Sequence, residues 1–256
     1  MKKFNGGLTN INAFTLAEVL ITLGIIGVVA ALTLPVLLQK HQEQVLINSA
    51  KKAYSEILQA AKMYEVQNDS PGDWLGLFEA KNGVPNSEQL AEEFAKYFKG
   101  AKVCKTRNEP NCGQYFYALE YAVPTVNENK EFVEVRNYAP KIILPDGVVI
   151  GVEQRAVKCG ERITTVRKDE YGQVIRDEAG NTFASYYNAA CTVLYFDTNG
   201  PKRPNKFGMD TFRIAVMPKK FDMGGSASLG DLSLKSILTG GKLIYKKYKV
   251  GDKLEN

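Results

Sequence analysis

A single histidine, His41, stands in the whole chain. That scarcity excludes any chemistry needing two, so there is no HExxH zinc site and no His-rich metal cage. A Ser-His-Asp triad would have to recruit His41 alone. An excess of one charge sign is also missing: 33 Lys and Arg face 28 Asp and Glu, and no run of Lys and Arg exceeds three. The net charge of +5 is therefore dispersed, and no specific nucleic-acid partner is expected. Low-complexity tracts and internal repeats are absent. What is present is the composition of a folded protein, 45% hydrophobic and 24% charged, in a chain of 256 residues long enough for a real core.

One stretch departs from this average. Val19 to Leu38 reads VLITLGIIGVVAALTLPVLL and holds no charged residue. Twenty such residues match a hydrocarbon core of roughly 30 Å at about 1.5 Å rise per helical residue. The segment is expected to enter or cross a membrane and meet its lipid. Lys2 and Lys3 precede it, so the short end is expected inside and everything from Gln39 onward outside. Cys104, Cys112, Cys159 and Cys191 then lie in an oxidising space, and an even count favours two disulfides. Three connectivities are open. The pairing Cys104–Cys112, closing KTRNEPN, with Cys159–Cys191 is the one that loop closure weakly favours. A cleaved secretory signal fits less well, because the apolar core is long and Leu34 and Pro35 follow the small pair Ala30 and Ala31.

Neither a secretory signal nor a plain anchor explains Glu18. A carboxylate at the entrance of an uncharged helix is costly and calls for a partner or a job, yet no Lys or Arg lies within a helical turn or two. A free amino terminus would serve if the chain were cut just before Phe14. The block Ala13-Phe14-Thr15-Leu16-Ala17-Glu18-Val19-Leu20 followed by ITLGIIGVVAALTLP resembles the class III signal of type IV pilins and type II secretion pseudopilins. The resemblance implies that a prepilin peptidase cuts between Ala13 and Phe14 and methylates the new Phe14 amine. It also implies that Glu18 pairs with the amine of a neighbouring pilin-like subunit. Gly24, Gly27 and Pro35 fall where family helices carry loosening glycines and a kinking proline, which weaken a helix by about 1 and 3 kcal/mol. The likeness covers about the first 40 residues, and Ala13 stands where the family usually has Gly.

Beyond the apolar stretch, Leu46, Ala50, Ala53, Ile57, Ala61 and Tyr64 form a stripe at helical period. Asn68-Asp-Ser-Pro-Gly72 is a stop signal. The organisation that follows is a leader over 1–13, a long helix over 14–68 with its transmembrane part at 19–38, and an extracytoplasmic α+β domain over 69–256. Counted from Phe14 the helix is about 80 Å long. A short helix is predicted over Asn86–Lys99, capped by Asn86, and another around Leu232–Leu238. Strands are predicted over Gln114–Val123, Glu131–Arg136, Lys141–Leu144, Val148–Val152, Glu161–Val166, Gln173–Arg176, Cys191–Phe196, Thr211–Met217 and Lys242–Val250. Turns are expected at Pro145-Asp-Gly147 and Ala179-Gly-Asn181. Strands joined by short turns argue an antiparallel sheet. The fold class is α+β, a long N-terminal helix packed on a C-terminal antiparallel sheet, as in pilins.

Asp197, Asn199, Asn205 and Asp210 lie on a Gly- and Pro-shaped loop and are hard oxygen ligands of the kind Ca²⁺ takes. The loop is similar to a D-x-N-G…P-N-x-x-G-x-D signature in pilin-like subunits and, in placement, to the calcium loop of major pseudopilins. The alternative is an Asx-turn loop whose side chains satisfy backbone amides. Lys202, Arg203 and Lys206 count against a tightly bound cation. Ser49-Ala-Lys-Lys52 matches S-x-x-K but lacks the partner motifs of an acyl enzyme. No enzyme is expected. The expected function is a structural pilin or pseudopilin subunit of the bacterial inner membrane. The alternative is a minor subunit or tethered binding domain that touches substrate, surface or DNA without forming a homopolymer.

Overall fold

The computed structural model describes residues 15–120, 124–126, 132–134, 138–157, 159–160, 162–166, 173–182, 184–188, 190–223 and 230–245. The chain divides into two compact units, Met1–Val45 and Leu46–Asn256.

Helix α1 spans Leu16–Gln67 and carries Pro35 within it. In the first unit no described side chain is buried, which suits a segment without a polar face. From Leu46 onward the predicted stripe takes effect: Ala50, Ala53, Ile57, Ala60 and Ala61 are buried. The helix stops at the expected signal. Asn68 Nδ2 caps the Tyr64 carbonyl at 2.9 Å, Asp69 turns to a φ of 49°, and the Gly72 amide donates to Glu65 Oε2 at 2.9 Å.

Helices α2 (Leu75–Phe78) and α3 (Ser87–Ala95) follow, the second capped as expected, with Gln89 N donating to Asn86 Oδ1 at 3.0 Å. Then come β1 (Lys102–Cys104) and α4 (Gly113–Glu120), and the short β2 (Pro124–Val126) and β3 (Phe132–Glu134). Strands β4 (Lys141–Ile143) and β5 (Val149–Gln154) form a hairpin through Pro145-Asp-Gly147, where Gly147 adopts a φ of 97° and its amide donates to Leu144 O. The chain continues as β6 (Arg162–Val166), β7 (Ala184–Asn188), β8 (Thr192–Asp197), β9 (Thr211–Met217), β10 (Lys220–Asp222) and α5 (Asp231–Leu238).

Six strands make one sheet in the order β1-β4-β5-β8-β9-β10, and every neighbouring pair is antiparallel. This is the α+β arrangement expected: a long N-terminal helix with an antiparallel sheet. Strand alternation sends side chains to opposite faces, and here both faces are apolar. Ile142, Ile150, Val152, Leu194, Phe196, Phe212, Ile214 and Val216 share a core with α1, α2, α3 and α5. Their neighbours Ile143, Val149, Val193 and Tyr195 share a second core with Phe116 of α4 and the Cys104–Cys112 pair. Strand β8 is consequently buried at all of its positions. Two further hairpins, β2–β3 and β6–β7, form sheets of their own.

Three predicted strands need correction. Gln114–Val123 is not a strand over its described part but the helix α4. Its aromatic residues favour a strand by propensity, but packing overrides propensity: Phe116 is buried beside the Cys104–Cys112 bridge, and the Tyr115 amide donates to Cys112 O as the helix begins. Gln173–Arg176 is the stem of a turn, held by an isolated bridge between Arg176 and Thr182. Residues 242–245 form no strand, and the remainder of Lys242–Val250 lies outside the described residues. Strands β1, β2, β7 and β10 have no counterpart among the predicted strands; three of them are only three residues long.

Candidate functional site

Ala13 and Phe14 lie outside the described residues. Glu18 sits in the first turn of α1, where Thr15 precedes the helix. Thr15 N and Thr15 Oγ1 both donate to Glu18 Oε2 at 2.8 Å, and Glu18 N donates back to Thr15 Oγ1 at 3.2 Å. This is a capping box, T-x-x-E, in which side chains take up amides that the first turn leaves without helical partners. The partner that Glu18 lacks among the cations is thus supplied, within the chain, by a threonine three residues earlier. The T-x-x-E spacing is itself a sequence signal, and it is the one that identifies this partner. Both Thr15 donors fall on Oε2, and Oε1 takes no hydrogen bond among the described residues.

Downstream, Gly24 and Gly27 face open space, and the helix continues unbroken through both and through Pro35. Thr22 and Thr33 return their hydroxyls to the carbonyls of Val19 and Val29 at 3.0 and 2.9 Å, so neither presents an unsatisfied donor to an apolar surrounding. The helix is long and apolar enough to cross a membrane. His41 is exposed.

The four cysteines form two disulfides, Cys104–Cys112 and Cys159–Cys191. The first closes a loop that is fastened a second time by Glu109, whose Oε1 accepts the amides of Lys105 and Thr106 at 3.0 Å each. The second ties the segment after β5 to the start of β8.

Asp197 and Asp210 are brought together at the mouth of the β8–β9 connection, both fully buried. Asp197 Oδ1 accepts Asn199 N at 3.0 Å and its Oδ2 accepts the Thr211 hydroxyl at 2.7 Å. Asp210 accepts Lys206 N on Oδ1 at 2.7 Å and Asn205 N on Oδ2 at 2.8 Å. The Asn205 amide nitrogen, correctly oriented, donates to the carbonyls of Lys202 and Gly200. Asn199 Oδ1 is buried without a donor. Every carboxylate oxygen is therefore engaged within the loop and its closing strand, which is the Asx-turn alternative. The described residues hold no cluster of three or more His, Cys, Asp or Glu suited to a metal. The motif glycines have a steric reason: Gly208 adopts a φ of 83°, and a Cβ there would stand 2.3 Å from Ile244 O. Burial, reinforced by the neighbouring Asp210 charge, pushes the Asp197 carboxyl up to about 8, and burial raises Asp210 as well. A further buried acid, Asp231, is paired: Arg213 Nη1 donates to its Oδ2 at 2.8 Å, fixing α5 to β9.

No family model, no curated protein and no solved structure matches the chain.

Proposed function

We propose that this chain is a pilin-like structural subunit of a type IV pilus or type II secretion pseudopilus, matured by a prepilin peptidase and assembled through its N-terminal helix. The observation that carries the reading is the inner part of α1: an apolar helix with no buried side chain and one carboxylate, Glu18, in its first turn. Exposed apolar surface on this scale is unstable in water and requires lipid or neighbouring helices. Lipid serves the precursor, and sister helices serve the polymer. A cut between Ala13 and Phe14 leaves Thr15 in place, so the capping box survives maturation, and Oε1 of Glu18 remains for the amine of an adjacent subunit. The α+β domain beyond Leu46 is consistent with the same reading, since it provides an outer body with its own core and disulfides. Apolar packing supplies the affinity in this scheme, and the single ion pair sets axial register, because only one relative displacement of two helices brings amine and carboxylate together.

The test is electron microscopy of sheared surface material and membranes from cells carrying a pilus or secretion machine, with wild type and Glu18→Ala compared. The expected outcome is filaments containing the wild-type chain, and a Glu18→Ala chain that is processed, stable and retained in the membrane but absent from filaments. Normal filaments from Glu18→Ala would refute the role given to this carboxylate.

A further inference from the structure

A groove of about 620 Å³ opens between the first residues of α3 and the segment entering β4, with the end of β5 and the middle of β8 as its floor. Its volume falls in the range of small-ligand sites, roughly 300–1,000 Å³. Among the described lining residues the charges balance: Lys105 and Arg155 stand against Glu88 and Glu153. Both cations are already engaged, Lys105 with Glu92 and Arg155 with Glu153. A strongly charged ligand would gain little here and would have to disrupt these pairs. An apolar ligand would strand the polar lining without partners.

What the floor offers instead is donors set beside acceptors in fixed geometry. Arg155 Nη2 donates to Glu153 Oε2 at 3.0 Å and to the Tyr195 hydroxyl at 3.2 Å. Arg155 and Glu153 are both partly exposed, so a guanidinium and a carboxylate border the groove side by side. The Tyr195 ring is buried beneath them and exposes no stacking face. On the rim, Tyr138 is 57% exposed, with the Arg107 guanidinium 5.3 Å from its ring centroid. That contact restrains an otherwise free aromatic side chain.

A neutral groove with paired donors and acceptors on its floor and one restrained aromatic ring at its edge matches a molecule with hydroxyls on its perimeter and C–H groups on its face. We infer that this groove binds a short uncharged oligosaccharide, whose hydroxyls bridge Arg155 and Glu153 while the C–H face of a sugar ring lies on Tyr138. A proline-rich peptide fits less well, because it needs a row of exposed aromatic ridges, and among the described lining residues Tyr138 is the one exposed aromatic ring. The inference does not depend on whether the chain polymerises.

The test uses the full chain in a detergent without a sugar headgroup, such as lauryldimethylamine oxide. The probes are uncharged trisaccharides of glucose, mannose, galactose and N-acetylglucosamine, followed by titration calorimetry and saturation-transfer NMR. At least one is expected to bind, with an affinity unchanged when salt is raised several-fold. Saturation of the protein's aromatic protons is expected to pass to the ring C–H protons of that sugar, a wild-type readout that no variant's folding affects. Tyr138→Ala and Arg155→Ala are each expected to weaken binding about tenfold or more, and Tyr138→Phe to retain it, with thermal melting unchanged in all three. Failure of every trisaccharide to bind would overturn the assignment. So would binding that survives both alanine variants, or a salt-sensitive preference for a sulfated sugar or a proline-rich peptide.

Discussion

The two parts of α1 have the same backbone and opposite relations to their surroundings. From Leu16 to Leu38 no side chain is buried, and Ile25, Val28 and Leu32 stand 60–71% exposed. From Leu46 to Gln67 a narrow stripe of mostly alanine is fully buried, while Lys52 reaches Asp146 at 2.6 Å on the outer side. The difference is one of pattern rather than of helix propensity. The first part is apolar all round, so no rotation of it could hide its surface against a protein face. The second is apolar on one side only, and its small residues let a helix backbone lie close to a sheet. A helix can thus serve two solvents in succession if the periodicity of its apolar residues changes along its length.

The largest effect that would sharpen this contrast is a truncation made in both parts. Ile57→Ala removes a fully buried side chain from the core and is expected to cost the domain about 2–5 kcal/mol, read as a lowered urea midpoint. Ile25→Ala is expected to leave that midpoint unchanged. Equal effects at both positions would break the comparison. Next in size is a charge placed in each part. Val28→Lys is expected to cost about 2.5–3.5 kcal/mol of membrane insertion, seen as loss of the chain from the membrane fraction. Gln59→Lys, on the exposed side of the outer part, is expected to cost nothing measurable in insertion or in folding.

A further effect concerns the domain alone. Asp197 titrates near 8 in the folded chain against an ordinary value of 3.8. Its native state therefore binds a proton that the unfolded state has lost, and the associated stability is fully present below the ordinary carboxylate range. It drains away as pH rises toward about 8. Melting temperature is expected to fall across that window, and Asp197→Asn to flatten the slope. A melting profile that rises over the same interval in wild type would contradict the burial argument.

Much of the fold is legible in the amino-acid sequence, for reasons that differ from element to element. The apolar run from Val19 and the stripe through Ala50, Ala53 and Ile57 are repetitive signals, and repetition survives local exceptions. Asn86 and the Pro145-Asp-Gly147 turn are readable because their side chains or φ angles act on their own neighbours. Strand β9 is readable because Phe212, Ile214 and Val216 recur at the strand period of two. The failures are positions where distant contacts decide. The aromatic Tyr115-Phe116-Tyr117 is helical because a disulfide and the second core receive Phe116 there. A three-residue strand such as β10 forms on the edge that the longer β9 offers, a pairing made with a partner rather than within its own run. At the helix start the difficulty is of another kind. Thr15 and Glu18 carry a local capping signature, but a lone carboxylate directs attention to cations rather than to a hydroxyl three residues away. The loop from Asp197 to Asp210 is recognisable as a constellation, while the choice between fastening itself and holding an ion turns on the hydrogen bonds of each oxygen.

The central claim is that a new amino terminus is made beside Glu18. Intact mass with N-terminal sequencing of the chain purified from membranes tests it most directly. The account predicts a polypeptide beginning at Phe14 and carrying one extra methyl group. A chain that still begins at Met1, or one that begins downstream of Leu38, would contradict it.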